Sequence, residues 1–183
     1  MRKHLTGFTM ALALLALAVV VTTPALKAAD APDSEQVNKL LSEAKTQAFQ
    51  LKEDASTMQS YTQSSAGWET HSTAVNQMRD HINSTARTLT QLDEGRKNAS
   101  PWQAAAIDKI RPLLKEIATN TETVIQYINK NPKRLTSSEY KDYIETNADV
   151  TSKLAGLISD YVEYGNTKDR LERLSRRLEV PGK

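Results

Sequence analysis

Cysteine is missing from this 183-residue chain, which removes disulfides, thiol catalysis, thiolate metal sites and covalent haem attachment through a C-x-x-C-H motif. Attachment of lipid at the end of a leader also needs a cysteine, so that route is closed as well. Charge of one sign is lacking too. The formal +2 comes from 24 basic and 22 acidic side chains, but Arg2, Lys3 and Lys27 lie in a segment with the features of a leader, and without them 21 basic groups face 22 acidic ones. Net charge therefore gives no argument for nucleic acid, and an electrostatic partner must be sought in a local cluster.

Catalytic signatures are equally absent. There is no G-x-S-x-G, H-E-x-x-H, phosphate loop or dinucleotide fingerprint. A ferritin-like di-iron centre needs Glu-x-x-His on two helices, and neither His71 nor His81 has a glutamate three residues before it. No internal repeat or low-complexity segment stands out, and no apolar run beyond the first thirty residues could cross a bilayer, which takes about 20 apolar residues.

Residues 1–28 follow the grammar of a secretory signal: basic Arg2 and Lys3 with His4, an apolar run from Phe8 to Val21, then Pro24 and small residues. This predicts export to the periplasm or beyond, with cleavage near Ala28. An uncleaved leader holding the protein in the inner membrane is the alternative. Residues 29–33 read as a linker.

From residue 34 onward apolar and small residues return every three or four positions, the spacing that gathers them on one face of a helix. Four stripes result. The first is Val37, Leu41, Ala44, Ala48, Leu51, Ala55, Met58 and Thr62; the second is Trp68, His71, Val75, Met78, Ile82, Thr85, Leu89 and Leu92. Ile107, Ile110, Leu114, Ile117, Thr121, Val124 and Ile128 form the third, and Tyr140, Ile144, Asn147, Thr151, Leu154, Ile158 and Tyr161 the fourth.

The register slips between the first two stripes at Ser64–Gly67, which predicts a tight turn. Gly95 is placed to end the second helix in the left-handed conformation, and Ser100, Pro101 and Gln103 spell a capping box with proline at the first helical position. Asn131 and Pro132 stop the third helix, and Thr136 to Glu139 reads as a second capping box. A kink is expected at Pro112. Helices of about 25 to 30 residues joined by short turns pack antiparallel, so the expected fold is an up-down-up-down four-helix bundle over residues 34–166. A three-helix arrangement and an extended coiled-coil dimer are the alternatives.

Past Gly165 and Asn166 the stripe changes to Leu171, Leu174 and Leu178, flanked by Arg170, Arg173, Arg176 and Arg177. Residues 167–183 therefore read as a separate or bent amphipathic tail helix. It could contact an anionic membrane surface or an acidic partner, or it could fold back on the bundle or pair with a second copy.

Among single residues, His71 is the most pointed, because an imidazole on an apolar seam must find a polar partner or remain at an exposed end. It is expected level with Met58. His71 and Met58 could serve as axial ligands of a non-covalent haem or hold a metal, although a structural hydrogen bond is the plainer role. His81, ten residues on, is turned by about 80° and cannot share an ion with His71 on one face. Trp68 and Trp102 each open a helix and should lie at opposite ends of the bundle. Thr62, Thr85, Thr121, Thr151 and Asn147 place polar groups on the seams, to fix register or line a wet cavity. Together these features predict an exported, non-enzymatic protein without a resident cofactor that works through its surface, in binding, scaffolding or envelope stress.

Overall fold

Four α-helices account for nearly all of the computed structural model, which describes residues 31–179. The leader with its cleavage point and the last four residues lie outside the described part. The helices are α1 (Glu35–Tyr61), α2 (Trp68–Gly95), α3 (Pro101–Lys130) and α4 (Ser138–Leu178), with a short 3-10 turn at Arg96–Asn98. Each packs on the next, and α4 returns against α1. This closes the up-down-up-down bundle that the four stripes predict.

The stripes are the core. All eight predicted seam residues of α1 are buried, as are all seven of α3. In α2 only Trp68 departs, at 39% exposed; in α4 only Tyr161 is not fully covered. The buried face is wider than the seams, however. Leu40, Leu113, Tyr127, Val150 and Ala155 are also buried, because a helix touching two neighbours buries a broader sector than the 3.5-residue seam of a coiled coil.

The helix ends follow local chemistry. Ser34 caps α1, its Oγ accepting from the Val37 N–H at 3.4 Å. The turn at Thr62–Gly67 is real, and Gly67 precedes α2 in an extended conformation. At the start of α3 the Gln103 carbonyl oxygen accepts from the Ser100 N–H at 2.9 Å, with Pro101 in the first turn. Asn131 ends α3. The cap of α4 falls one residue later than predicted, on Ser137, whose Oγ accepts from the Tyr140 N–H at 3.3 Å and meets the Tyr127 hydroxyl at 2.7 Å. α3 continues through Pro112, whose ring nitrogen cannot donate to the Asp108 carbonyl.

Two expectations need correction. Gly95 is right-handed (φ −73°) and leads straight into the 3-10 turn; no left-handed cap forms. Its lack of a side chain serves packing instead, since a Cβ there would stand 3.2 Å from Cγ2 of Val37. The tail is not a separate helix. α4 runs unbroken for 41 residues from Ser138 to Leu178, because Gly165 sits against Trp102 and the helix gains contact where the sequence suggested a break.

Candidate functional site

Two ends of the bundle and one groove hold the polar chemistry. At the end where the chain enters, Asp33 is the hub. Its Oδ1 accepts from Trp102 Nε1 at 2.7 Å and from Lys168 Nζ at 3.0 Å, tying the residues before α1 to the first turn of α3 and to α4. Burial tends to raise the Asp33 pKa, but the Ser100, Lys168 and Trp102 side chains outweigh it and leave the carboxylate below its ordinary value. Gln103 braces the same joint, its amide donating to the Ser34 carbonyl at 2.9 Å and to Asn38 Oδ1 at 2.7 Å.

Gly165 is the last buried residue of α4, and Lys168, one turn on, is the residue tied to Asp33. Asp169 to Leu178 continue past it for ten residues, about 15 Å at ~1.5 Å per residue, and none of them is buried. Leu171 and Leu178 are each 62% exposed, and Leu174 is half-buried. Arg170, Arg173, Arg176 and Arg177 lie on the same overhang without an ion pair among the described residues. The predicted interaction residues are thus together on one projecting helix end.

Beside its root, α3 and α4 frame a largely apolar groove of about 500 Å³ lined by Trp102, Ala105, Leu157, Tyr161 and Tyr164, with Lys109 and Asp160 as its charged members. The Trp102 and Tyr164 rings meet edge to face at 5.3 Å, and Lys109 Nζ lies 5.9 Å from the Tyr161 ring centre.

At the opposite end His71 is completely buried. Its Nδ1 is 2.9 Å from the Tyr140 hydroxyl, and the Tyr61 and Tyr140 rings stand edge-on to it at 5.8 and 5.3 Å. Nε2 is buried without a hydrogen-bond partner among the described residues. Burial lowers the imidazole pKa below 6.5, so the ring is neutral at pH 7. The partner level is Tyr61 and Tyr140, about one turn nearer the bundle end than the Met58 level expected from counting. Met58 is buried in the same core, at 1% exposed.

Further along α1 and α2 lies a pair that the sequence reading missed. Asp54 is only 9% exposed, with Oδ2 2.5 Å from His81 Nδ1 and Oδ1 accepting from Gln77 Nε2 at 3.4 Å. Burial raises the Asp54 pKa in spite of the His81 contact. Its spacing carried the signal: three residues after Leu51 and four before Met58 is the buried face. Asp54 also borders a cleft of about 370 Å³, lined with Thr57, Tyr61, Glu69, Thr73 and Gln77 among others, that has two carboxylates and no lysine or arginine.

Mid-bundle, Asn147 Nδ2 donates to Thr121 Oγ1 at 2.9 Å and approaches Met78 Sδ at 3.5 Å. Among the described residues no group of three or more histidines and carboxylates is placed to hold a metal ion, and no helix is long and apolar enough to cross a membrane. No family model, curated protein or solved structure matches this chain.

Proposed function

We propose that this is an exported helical-bundle protein that works through surface contact and not through catalysis, and that the projecting end of α4 is the contact surface. One observation carries the reading: the ten residues of α4 past Lys168, about 15 Å at ~1.5 Å per residue, include none that is buried, and Leu171 and Leu178 are each 62% exposed. Leucines at that exposure forfeit burial free energy of about 1.5 to 3 kcal/mol each if nothing covers them. A chain gains no core stability from such a segment, so its value lies in what it meets. Export rests on the leader-like residues 1–28, with cleavage near Ala28 or retention as an anchor. Binding, scaffold and envelope-stress roles all fit a bundle of this kind.

A second reading, haem or metal held by His71 with Met58, has one observation in its favour, a buried Nε2 of His71 without a partner among the described residues, and it ranks below surface contact because both side chains are closely packed in the core.

The test is truncation after Lys168 in the producing cell. The shortened chain should keep its helicity and cooperative unfolding while losing co-sedimentation with envelope fractions. A truncated chain that fractionates like the full one overturns the reading.

A further inference from the structure

The borders of the leucine stripe say what kind of surface it meets. At about 100° per residue, Leu171, Leu174 and Leu178 span a narrow sector, and the positions next to it are Arg170 and Arg177 on one side, Lys168 and Ser175 on the other. Glu172 and Glu179 lie further round. A second copy laid antiparallel along the stripe would bring arginine to arginine, and a parallel copy would bring arginine to lysine or serine. Pairing of helices in water wants opposite charges at those bordering positions, so the overhang is poorly matched to itself and well matched to an anionic surface.

The path of the chain selects which anionic surface. The segment that carries the apolar run Phe8–Val21 joins the bundle at Asp33, and Asp33 is bonded to Lys168 at 3.0 Å, at the root of the overhang. The apolar run ends at Val21, so the twelve residues 22–33 lie between it and the bundle and span at most about 43 Å when fully extended. A leader held in a membrane therefore enters the bundle at the overhang's end and brings that end within reach of the lipid.

Resting on the reading of the overhang as the contact surface, we propose that Asp169–Leu178 docks on an anionic lipid bilayer. Leu171, Leu174 and Leu178 enter the headgroup boundary, Arg170 and Arg177 at its border meet lipid phosphates, and Arg173, further round the helix, adds to the attraction from within a Debye length. Such helices bind by buried apolar area plus attraction to anionic headgroups, and the attraction fades within a Debye length of about 8 to 10 Å at ordinary salt.

The experiment is flotation of the full chain with vesicles of phosphatidylcholine alone and vesicles in which phosphatidylglycerol replaces part of it. The comparison is between the parent and a triple variant, R170E/R173E/R177E, each with the same leader state. These arginines are exposed, and circular dichroism should show the fold unchanged. The parent should prefer the anionic vesicles, and the triple variant should bind them weaker by on the order of a hundredfold, since each basic group near such a surface is worth roughly a factor of five. Added salt should weaken the parent and leave the variant nearly unaffected. Equal binding to both vesicle types, or equal binding by parent and variant, overturns the lipid proposal. If vesicles fail while truncation after Lys168 still releases the chain from envelope fractions, the overhang is a contact surface for an acidic protein. If truncation also has no effect, the broader reading falls with it.

Discussion

A side-chain carbon placed on Gly165 would stand 2.8 Å from Cη2 of Trp102 and 3.1 Å from Cζ2, so α4 crosses α3 at a separation that only glycine permits. The indole cannot easily retreat, because its N–H is held by Asp33. Gly165→Ala gains about 1 kcal/mol of helix propensity and meets an overpacking cost of about 1 to 3 kcal/mol. The expected outcome in chemical denaturation is a net loss of about 1 kcal/mol. Gly156 lies on the exposed side of the same helix with nothing within 4 Å of its would-be Cβ. Gly156→Ala should stabilise by about 0.5 to 1 kcal/mol, and matching signs for the two variants would contradict this packing.

The His71–Tyr140 hydrogen bond is buried at both ends, so removing one partner strands the other. His71→Phe and Tyr140→Phe should each cost about 1 to 3 kcal/mol, and the double variant less than their sum. A pH signature accompanies this. The folded-state pKa of His71 is depressed by burial, so the unfolded chain takes up a proton near 6.5 while the folded chain does not. The stabilisation is complete above pH 6.5 and declines as pH drops below it, down to the depressed folded value. Denaturation curves recorded over that window should show the decline in the parent and its absence in His71→Phe.

Asp33 behaves in the opposite sense. Its carboxylate is held below its ordinary value by Ser100, Lys168 and Trp102 against the pull of burial, so the stability it adds is present above pH 3.8 and disappears as pH falls through the lowered folded pKa. Asp33→Asn should be less stable than the parent at pH 7 by on the order of 1 to 2 kcal/mol. The two should converge in thermal or chemical denaturation as the medium is acidified below 3.8.

Asn147 and Thr121 form a hydrogen bond at 2.9 Å in a core layer that also holds Met78, and Asn147 Oδ1 is buried without a partner among the described residues. Replacing both groups by apolar ones of similar shape is close to neutral or stabilising, whereas removing one alone is not. Asn147→Leu/Thr121→Val should therefore match or exceed the parent's melting temperature. Because buried polar groups fix helix register, its amide proton NMR spectrum should broaden. Sharp, dispersed lines in the double variant would show that the layer has no part in specifying register.

Periodicity carried the architecture from the sequence with little loss. The seam residues of α1 and α3 are buried without exception, because a long helix with a stripe on one side has few ways to hide it. The failures share a cause. Gly95 and Gly165 look in the sequence like backbone signals, a left-handed cap and a break, but at each a side chain of another helix comes close: Val37 of α1 in one case and Trp102 of α3 in the other. Such proximity is a tertiary fact, and local pattern cannot report it. Asp54 is not part of the apolar pattern because it is charged, though its position between Leu51 and Met58 puts it on the inner face. The seam position of His71 shows that it needs a partner, but counting from the turns sets it level with Met58, about one turn from the level of Tyr140 that it meets. Counting from turns carries an error of a residue or two at each helix end. The leucine and arginine positions of the overhang were fully legible; that they prolong α4 was not.

The ring of contacts closes between the two ends of the chain: α1 packs more extensively against α4 than against its neighbour in sequence, and the Asp33–Lys168 bond joins positions 135 apart. The face that α1 turns to α4 thus stays uncovered until the far end of the polypeptide folds back to it. Closing so distant a pair costs loop-closure entropy that hairpins between sequence neighbours largely avoid, and the seal between the two ends is the contact most exposed to that cost.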